Sequence, residues 1–162
     1  MDEEKLQEME RHLGLLKTYL EAEEVEAEVL PADDKFALPT LIAVINEDEN
    51  DNQRVAIVNY VMLDEIVDQT DFIQFYVELP LDCSAYADDV LHTTLNDLNR
   101  KLPVGFAFVV APRPDMTFAK MVGLRYMFPF PKGSEISEGV FIDALFMFDM
   151  SCEAVVQRFA EM

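Results

Sequence analysis

SEGVFIDALFMFDMSCEAVVQRFAEM, residues 137–162, closes the chain and dictates how the rest must pack around it. Phe141, Leu145, Phe148, Cys152, Val155, Phe159 and Met162 recur at alternating steps of four and three, which lays one apolar stripe along a helix. Val140, Ala144, Met147, Met150 and Ala154 form a second stripe beside the first. A helix apolar over that much of its girth has two surfaces to bury. A domain covers one of them, so the second implies a partner chain, most simply a second copy in a homodimer.

Working back from that helix, LNDLNRKLPVGFAFVV (95–110) ends an amphipathic helix and begins a strand. Leu91, Leu95, Leu98 and Leu102 share one helical face, Pro103 stops it, and Asp82 or Ser84 is the expected cap at its start. Gly105 to Val110 and Lys120 to Phe128 read as strands around a turn at Pro112, Pro114 and Asp115, with a further turn over Pro129 to Gly133. Earlier still, Ile73, Phe75, Val77 and Leu79 alternate with Gln74 and Glu78, the pattern of a strand with one wet face. Leu38 to Ile45 and Val55 to Leu63 are β-branched runs joined by the polar loop NEDENDNQR (46–54), and Val25 to Val29 is a short strand. The chain opens on a helix, with Leu6, Met9, Leu13, Leu16 and Leu20 on one face. The order α-β-β-β-β-α-β-β-α predicts a single α+β domain over residues 1–162, with helices packed on an antiparallel sheet.

Composition excludes several function classes. The 162 residues are 51% apolar, enough for a real core, but no apolar run approaches the roughly 18 residues of a membrane span. The acidic N-terminus lacks the order of a signal peptide, so the expected location is cytoplasmic and no membrane partner is expected. Against 32 acidic residues stand 12 basic ones, a net charge of −20, which argues against nucleic acid. The acid is concentrated in the first half of the chain, whereas Arg100, Lys101, Arg113, Lys120, Arg125 and Lys132 lie close together in sequence. Most of this charge keeps a surface wet. The loop residues Glu47, Asp48, Glu49 and Asp51 are read in that way, as exchangeable for amides without loss of folding.

Chemistry-bearing motifs are sparse. Cys83 and Cys152 read as core thiols. Asp48, Asn50 and Asn52 have calcium-loop spacing, but Gln53 and Asn59 occupy the positions that need Gly and Glu. His92 follows Asp88 and Asp89, and His12 follows Glu8, at helical spacing, so both histidines read as surface ion pairs. Asp64, Glu65, Asp68 and Asp71 are scattered carboxylates, and no glycine loop for phosphate is present. No cofactor or metal is expected.

From Leu95 onward, LNDLNRKLPVGFAFVV, MVGLRYMFPFP and SEISEGVFIDALFMFDMSCEAVVQRF together resemble the YbjN family of bacterial proteins, whose fold is similar to that of type III secretion chaperones. In that pattern a pair of asparagines near a helix end precedes a strand hairpin and a closing helix; Asn96 and Asn99 stand there, with Leu98 where an aromatic residue is expected. The resemblance implies a small acidic dimer that is not an enzyme and has a chaperone-like or regulatory role. Both asparagines are accounted for physically by groups they can satisfy around a helix terminus. The expected function is therefore a protein-binding module for a client or regulatory partner. Its candidate contacts are Met121, Met127, Met147, Met150 and Ala154, since methionine adapts to varied surfaces. The competing class is an enzyme whose carboxylate site only the fold would reveal.

Overall fold

The computed structural model describes the chain apart from residues 1–2, 35, 48–52 and 64 and the side chain of Glu47. The acidic loop and its calcium-like spacing therefore lie outside the described residues, as does Asp64.

The elements follow the predicted order: α1 (Glu3–Ala22), β1 (Ala27–Leu30), β2 (Thr40–Glu47), β3 (Gln53–Tyr60), β4 (Thr70–Leu79), α2 (Asp88–Asn99), β5 (Phe106–Val109), β6 (Val122–Pro131) and α3 (Glu138–Ala160). The strands form one antiparallel sheet in the order β1-β2-β3-β4-β6-β5. After β4 the chain passes through α2, lays β5 at the far edge and returns as β6 between β5 and β4. Among the described residues no helix is long and apolar enough to cross a membrane.

Alternation along β4 decides which face is the core. Ile73, Phe75, Val77 and Leu79 are fully buried, as are Phe141, Phe148, Cys152 and Val155 of the first α3 stripe. Phe75 lies between Phe141 and Phe148 at ring-centroid distances of 5.8 and 5.7 Å. Leu13, Leu16 and Leu20 of α1 and Leu91, Leu95 and Leu98 of α2 join the same cluster, so all three helices cover one face of the sheet. Cys83 and Cys152 are buried free thiols, and burial pushes the Cys152 thiol up to about 12.

Two local expectations change. First, β6 runs on through Pro129 and Pro131, where the sequence predicts a turn. Pro129 pairs in register with Phe72, whose carbonyl accepts from Val61 N–H and so faces away from β6. A proline at that position withholds no hydrogen bond from the ladder. Second, α2 starts at Asp88, and Ala87 is its N-cap without a side-chain bond. Asp82 instead accepts from Ser84 N–H at 2.9 Å, an Asx turn before the helix.

The end of α2 is tied to the sheet by Asn99. Its side-chain oxygen accepts from Ala107 N–H at 2.7 Å and its amide donates to Ala107 O at 3.0 Å, so β5 is held through both of that residue's backbone groups. The asparagine reaches a neighbouring strand rather than its own helix end; Asn96 is exposed. Gly105, at φ 74°, immediately precedes β5 where a Cβ would lie 2.6 Å from Arg125 O, so glycine is required there.

Candidate functional site

With all helices on one side, the other face of the sheet has no helical cover. Its apolar side chains are Ile42 and Val44 on β2, Val55 and Ile57 on β3, Phe72 and Tyr76 on β4, Met127 on β6, Phe106 and Phe108 on β5, and the same face carries Asn59, Gln74, Glu78 and Arg125. None belongs to the core cluster or packs against it. Phe106 is 45% and Met127 38% exposed. The sequence predicts a strand with one wet face from Gln74 and Glu78, and Gln74 does pair with Asn59 across the ladder at 2.9 Å, but the next residues on the same face, Phe72 and Tyr76 on β4 and Ile57 beside Tyr76 on β3, are apolar or aromatic. A contiguous apolar surface of this kind marks an interaction site more often than a solvent boundary.

At one end the apolar face carries an organised group. The Arg125 guanidinium lies 5.5 Å from the Phe108 ring centroid and 5.9 Å from that of Tyr76, and Phe106 packs against Phe108 at 5.8 Å. Beside it Glu78 accepts two bonds from Arg113, at 2.7 and 2.5 Å, and one from the Tyr76 hydroxyl at 2.5 Å. Those bonds, Arg113 first, hold the Glu78 carboxyl below its ordinary value against the opposing effect of burial. Burial and the bond to Glu78 push the Tyr76 phenol up to about 12. The Arg113, Lys120 and Arg125 group is no basic stripe: Arg113 is paired with Glu78 and Asp115, and Lys120 with Asp88 at 2.7 Å. Asp88 is thereby engaged away from His92, which is exposed.

The predicted contact residues fall on different surfaces. Met127 is on the open sheet face. Met147 (37% exposed) and Met150 lie on the outward side of α3, opposite the sheet, joined by Val140 and by Phe146, which at 64% is the most exposed phenylalanine. Ala154 is half-buried at the end of that stripe, and Ala144 is buried within the core cluster. Met121 is not at the surface: it is 6% exposed, and its carbonyl accepts from Val110 N–H to extend the β5–β6 ladder. Phe146 was missed by both stripes, although its position four residues before Met150 places it on the same helical side.

Away from this group lies a cleft of about 380 Å³ lined by Glu8, Arg11, Tyr60, Asp71 and Lys132 among others. At its floor is His12, and here the surface reading fails: His12 is 2% exposed. Its Nε2 accepts from Ile136 N–H at 3.2 Å, so Nδ1 carries the proton and donates to the Tyr60 hydroxyl. Edge-on contacts with Tyr60 and Phe130 complete the enclosure. Both ring nitrogens are committed, which leaves the imidazole no lone pair for general-base work. Desolvation lowers the His12 pKa below 6.5 despite the opposing charge of Glu135. The unfolded chain then takes up a proton before the folded one as pH falls through 6.5, so stability is full above that value and declines below it. Urea midpoints measured at pH 7.5 and 5.5 should fall for the wild type and change less for His12→Gln. An equal change in both proteins would remove His12 from the acid response.

Asp71, from the scattered carboxylate run, accepts from Gly133 N–H at 3.0 Å. Among the described residues no group of three or more His, Cys, Asp or Glu is placed to hold a metal ion. Compared with protein-family models, curated proteins and solved structures, the chain matches none.

Proposed function

We propose that this chain is a non-enzymatic protein-binding module with a chaperone-like or regulatory role, working as an acidic dimer through its open sheet face and the outward side of α3. The observation that supports this most is the one-sided sheet: three helices share one face, and the opposite face, without a helix, exposes Val55, Phe106 and Met127 among half-buried branched and aromatic side chains. The resemblance of the three segments from Leu95 onward to the YbjN family, whose fold is similar to that of type III secretion chaperones, points the same way. Two surfaces on opposite sides of the molecule suit a division of labour. The α3 side joins two copies, and the sheet face receives a client segment. Methionines at both, Met127 and Met147 with Met150, fit contacts that must adapt in shape.

The test is suppression of aggregation of reduced insulin, followed by light scattering. Wild type at about equimolar ratio should slow aggregation, and the double variant Phe106→Ser with Met127→Ser should not, since both side chains are exposed and their loss should leave folding intact. Equal suppression by the two proteins would move the binding surface elsewhere; no effect of the wild type would sink the chaperone-like role.

A further inference from the structure

The chain has six arginines, and five of them are paired with carboxylates. Arg11 meets Glu135, Arg54 meets Asp149 and Glu153, Arg100 meets Asp97, Arg113 meets Glu78 and Asp115, and Arg158 meets Glu161. Arg125 alone has no ion pair with the described residues, in a chain whose 32 acidic residues outnumber its 12 bases. The carboxylate that register places on its face, Glu78 opposite Gly123, is occupied by Arg113 and the Tyr76 hydroxyl. Arg125 Nε is buried without a hydrogen-bond partner among the described residues, while the guanidinium rests on Phe108 and Tyr76. A guanidinium fixed in plane by rings keeps its outer donors free for a planar anion and loses little conformational freedom on binding one.

Building on the protein-binding reading, we infer that Arg125 is the anchor for a single carboxylate on an incoming protein segment, with Tyr76, Phe106, Phe108 and Met127 receiving the apolar side chains that flank it. Charge complementarity selects this occupant over a second copy of the chain, because two copies meeting face to face about a two-fold axis at this end of the sheet would oppose their unpaired cations and two net charges of −20. It also selects one carboxylate within an apolar segment over an acidic tract, which the overall charge would repel. The local setting permits the single anion, since Glu78, the carboxylate on the same face, is already bonded to Arg113 and to the Tyr76 hydroxyl. Pairing in a site partly shielded from water by aromatic rings favours a carboxylate over its neutral amide.

The test uses three fluorescein-labelled twelve-residue peptides of alternating apolar and polar residues that differ only at the central position, Glu, Gln or Lys. Binding to the full chain is read by anisotropy and by the carbon-13 methyl signal of Met127. The Glu peptide should bind at least about tenfold more tightly than the Gln peptide, a margin of about 1.4 kcal/mol. Arg125→Gln should erase the margin, and Arg125→Glu should transfer the preference to the Lys peptide. Equal binding of the Glu and Gln peptides with a shifted Met127 signal would overturn the carboxylate anchor while leaving the sheet face as a docking surface. No Met127 shift with any peptide would overturn both readings. A Met127 signal that moves with protein concentration alone would assign the face to a second copy and overturn the inference. Should the Arg125 variants fail to fold, the Glu-to-Gln comparison on the wild type still decides.

Discussion

Phe148→Glu is expected to abolish the folded state, whereas the same change one residue earlier, Met147→Glu, is expected to leave it intact. Phe148 is fully buried against Phe75. Removing a buried phenylalanine from such a contact costs about 3–5 kcal/mol, and an unpaired carboxylate left in its place adds a similar amount. Against a total stability of about 5–15 kcal/mol, the sum leaves little or no native protein. Met147 faces outward from α3, and the glutamate that replaces it is hydrated. If α3 joins two copies, Met147→Glu sets like charges across a two-fold interface and yields a folded monomer. Near-ultraviolet circular dichroism reads the folding, and light scattering reads the mass. Loss of structure in Met147→Glu would place that side chain in the core, and a wild type that stays monomeric at tens of micromolar would remove the dimer.

The second large effect is expected at Arg54. Its side chain is 10% exposed and reaches from β3 to the middle of α3, with Nη1 2.5 Å from Asp149 and Nη2 2.6 Å from Glu153; Asn46 adds a bond to Glu153 at 3.1 Å. Burial opposes the Arg54 charge, but the bonds to Glu153 and Asp149 outweigh it and raise the pKa. Burial also raises the Asp149 carboxyl, and only Arg54 offsets that. Arg54→Met therefore strands a desolvated carboxylate and should cost about 3 kcal/mol, the low end for breaking a buried pair because both acids retain contact with water. Adding Asp149→Asn should restore part of the loss, since a neutral amide needs no counter-charge. Urea unfolding of the wild type, the two single variants and the double variant checks this; strictly additive losses would show that the arginine and the aspartate act independently.

Much of the fold is legible in the sequence because periodicity and burial agree. The steps of four and three in α3 and the alternation of Ile73, Phe75, Val77 and Leu79 correspond to the side chains that meet in the core. Prolines misled at 129 and 131 because their meaning depends on which neighbour the missing N–H would have faced, and that is a property of the sheet rather than of the residue. His12 looked like a surface residue beside Glu8, yet its position one residue before Leu13 puts it at the margin of the buried face, where Tyr60 and Ile136 arrive from distant parts of the chain. The open face could be counted one strand at a time but not assembled, because register alone brings Phe106 and Tyr76 to either side of Arg125. Nor could spacing show that Arg125 lacks a partner, which requires knowing where every carboxylate goes.

The clasp of Asn99 on Ala107 has a bearing on what the protein does at high concentration. A strand at the border of a sheet normally offers its outward amides and carbonyls to any extended chain that drifts past, and an apolar sheet with such a border is prone to stack into fibrils. Here one side-chain amide occupies the outward pair at the centre of a four-residue strand. At the opposite border β1 is equally short and carries Glu28, with Glu26 just before it. Sideways growth is thus blocked at one end and repelled at the other. If the sheet face receives a client segment, that face must stay open without propagating, and an asparagine on a helix end guards the border without covering any of the surface.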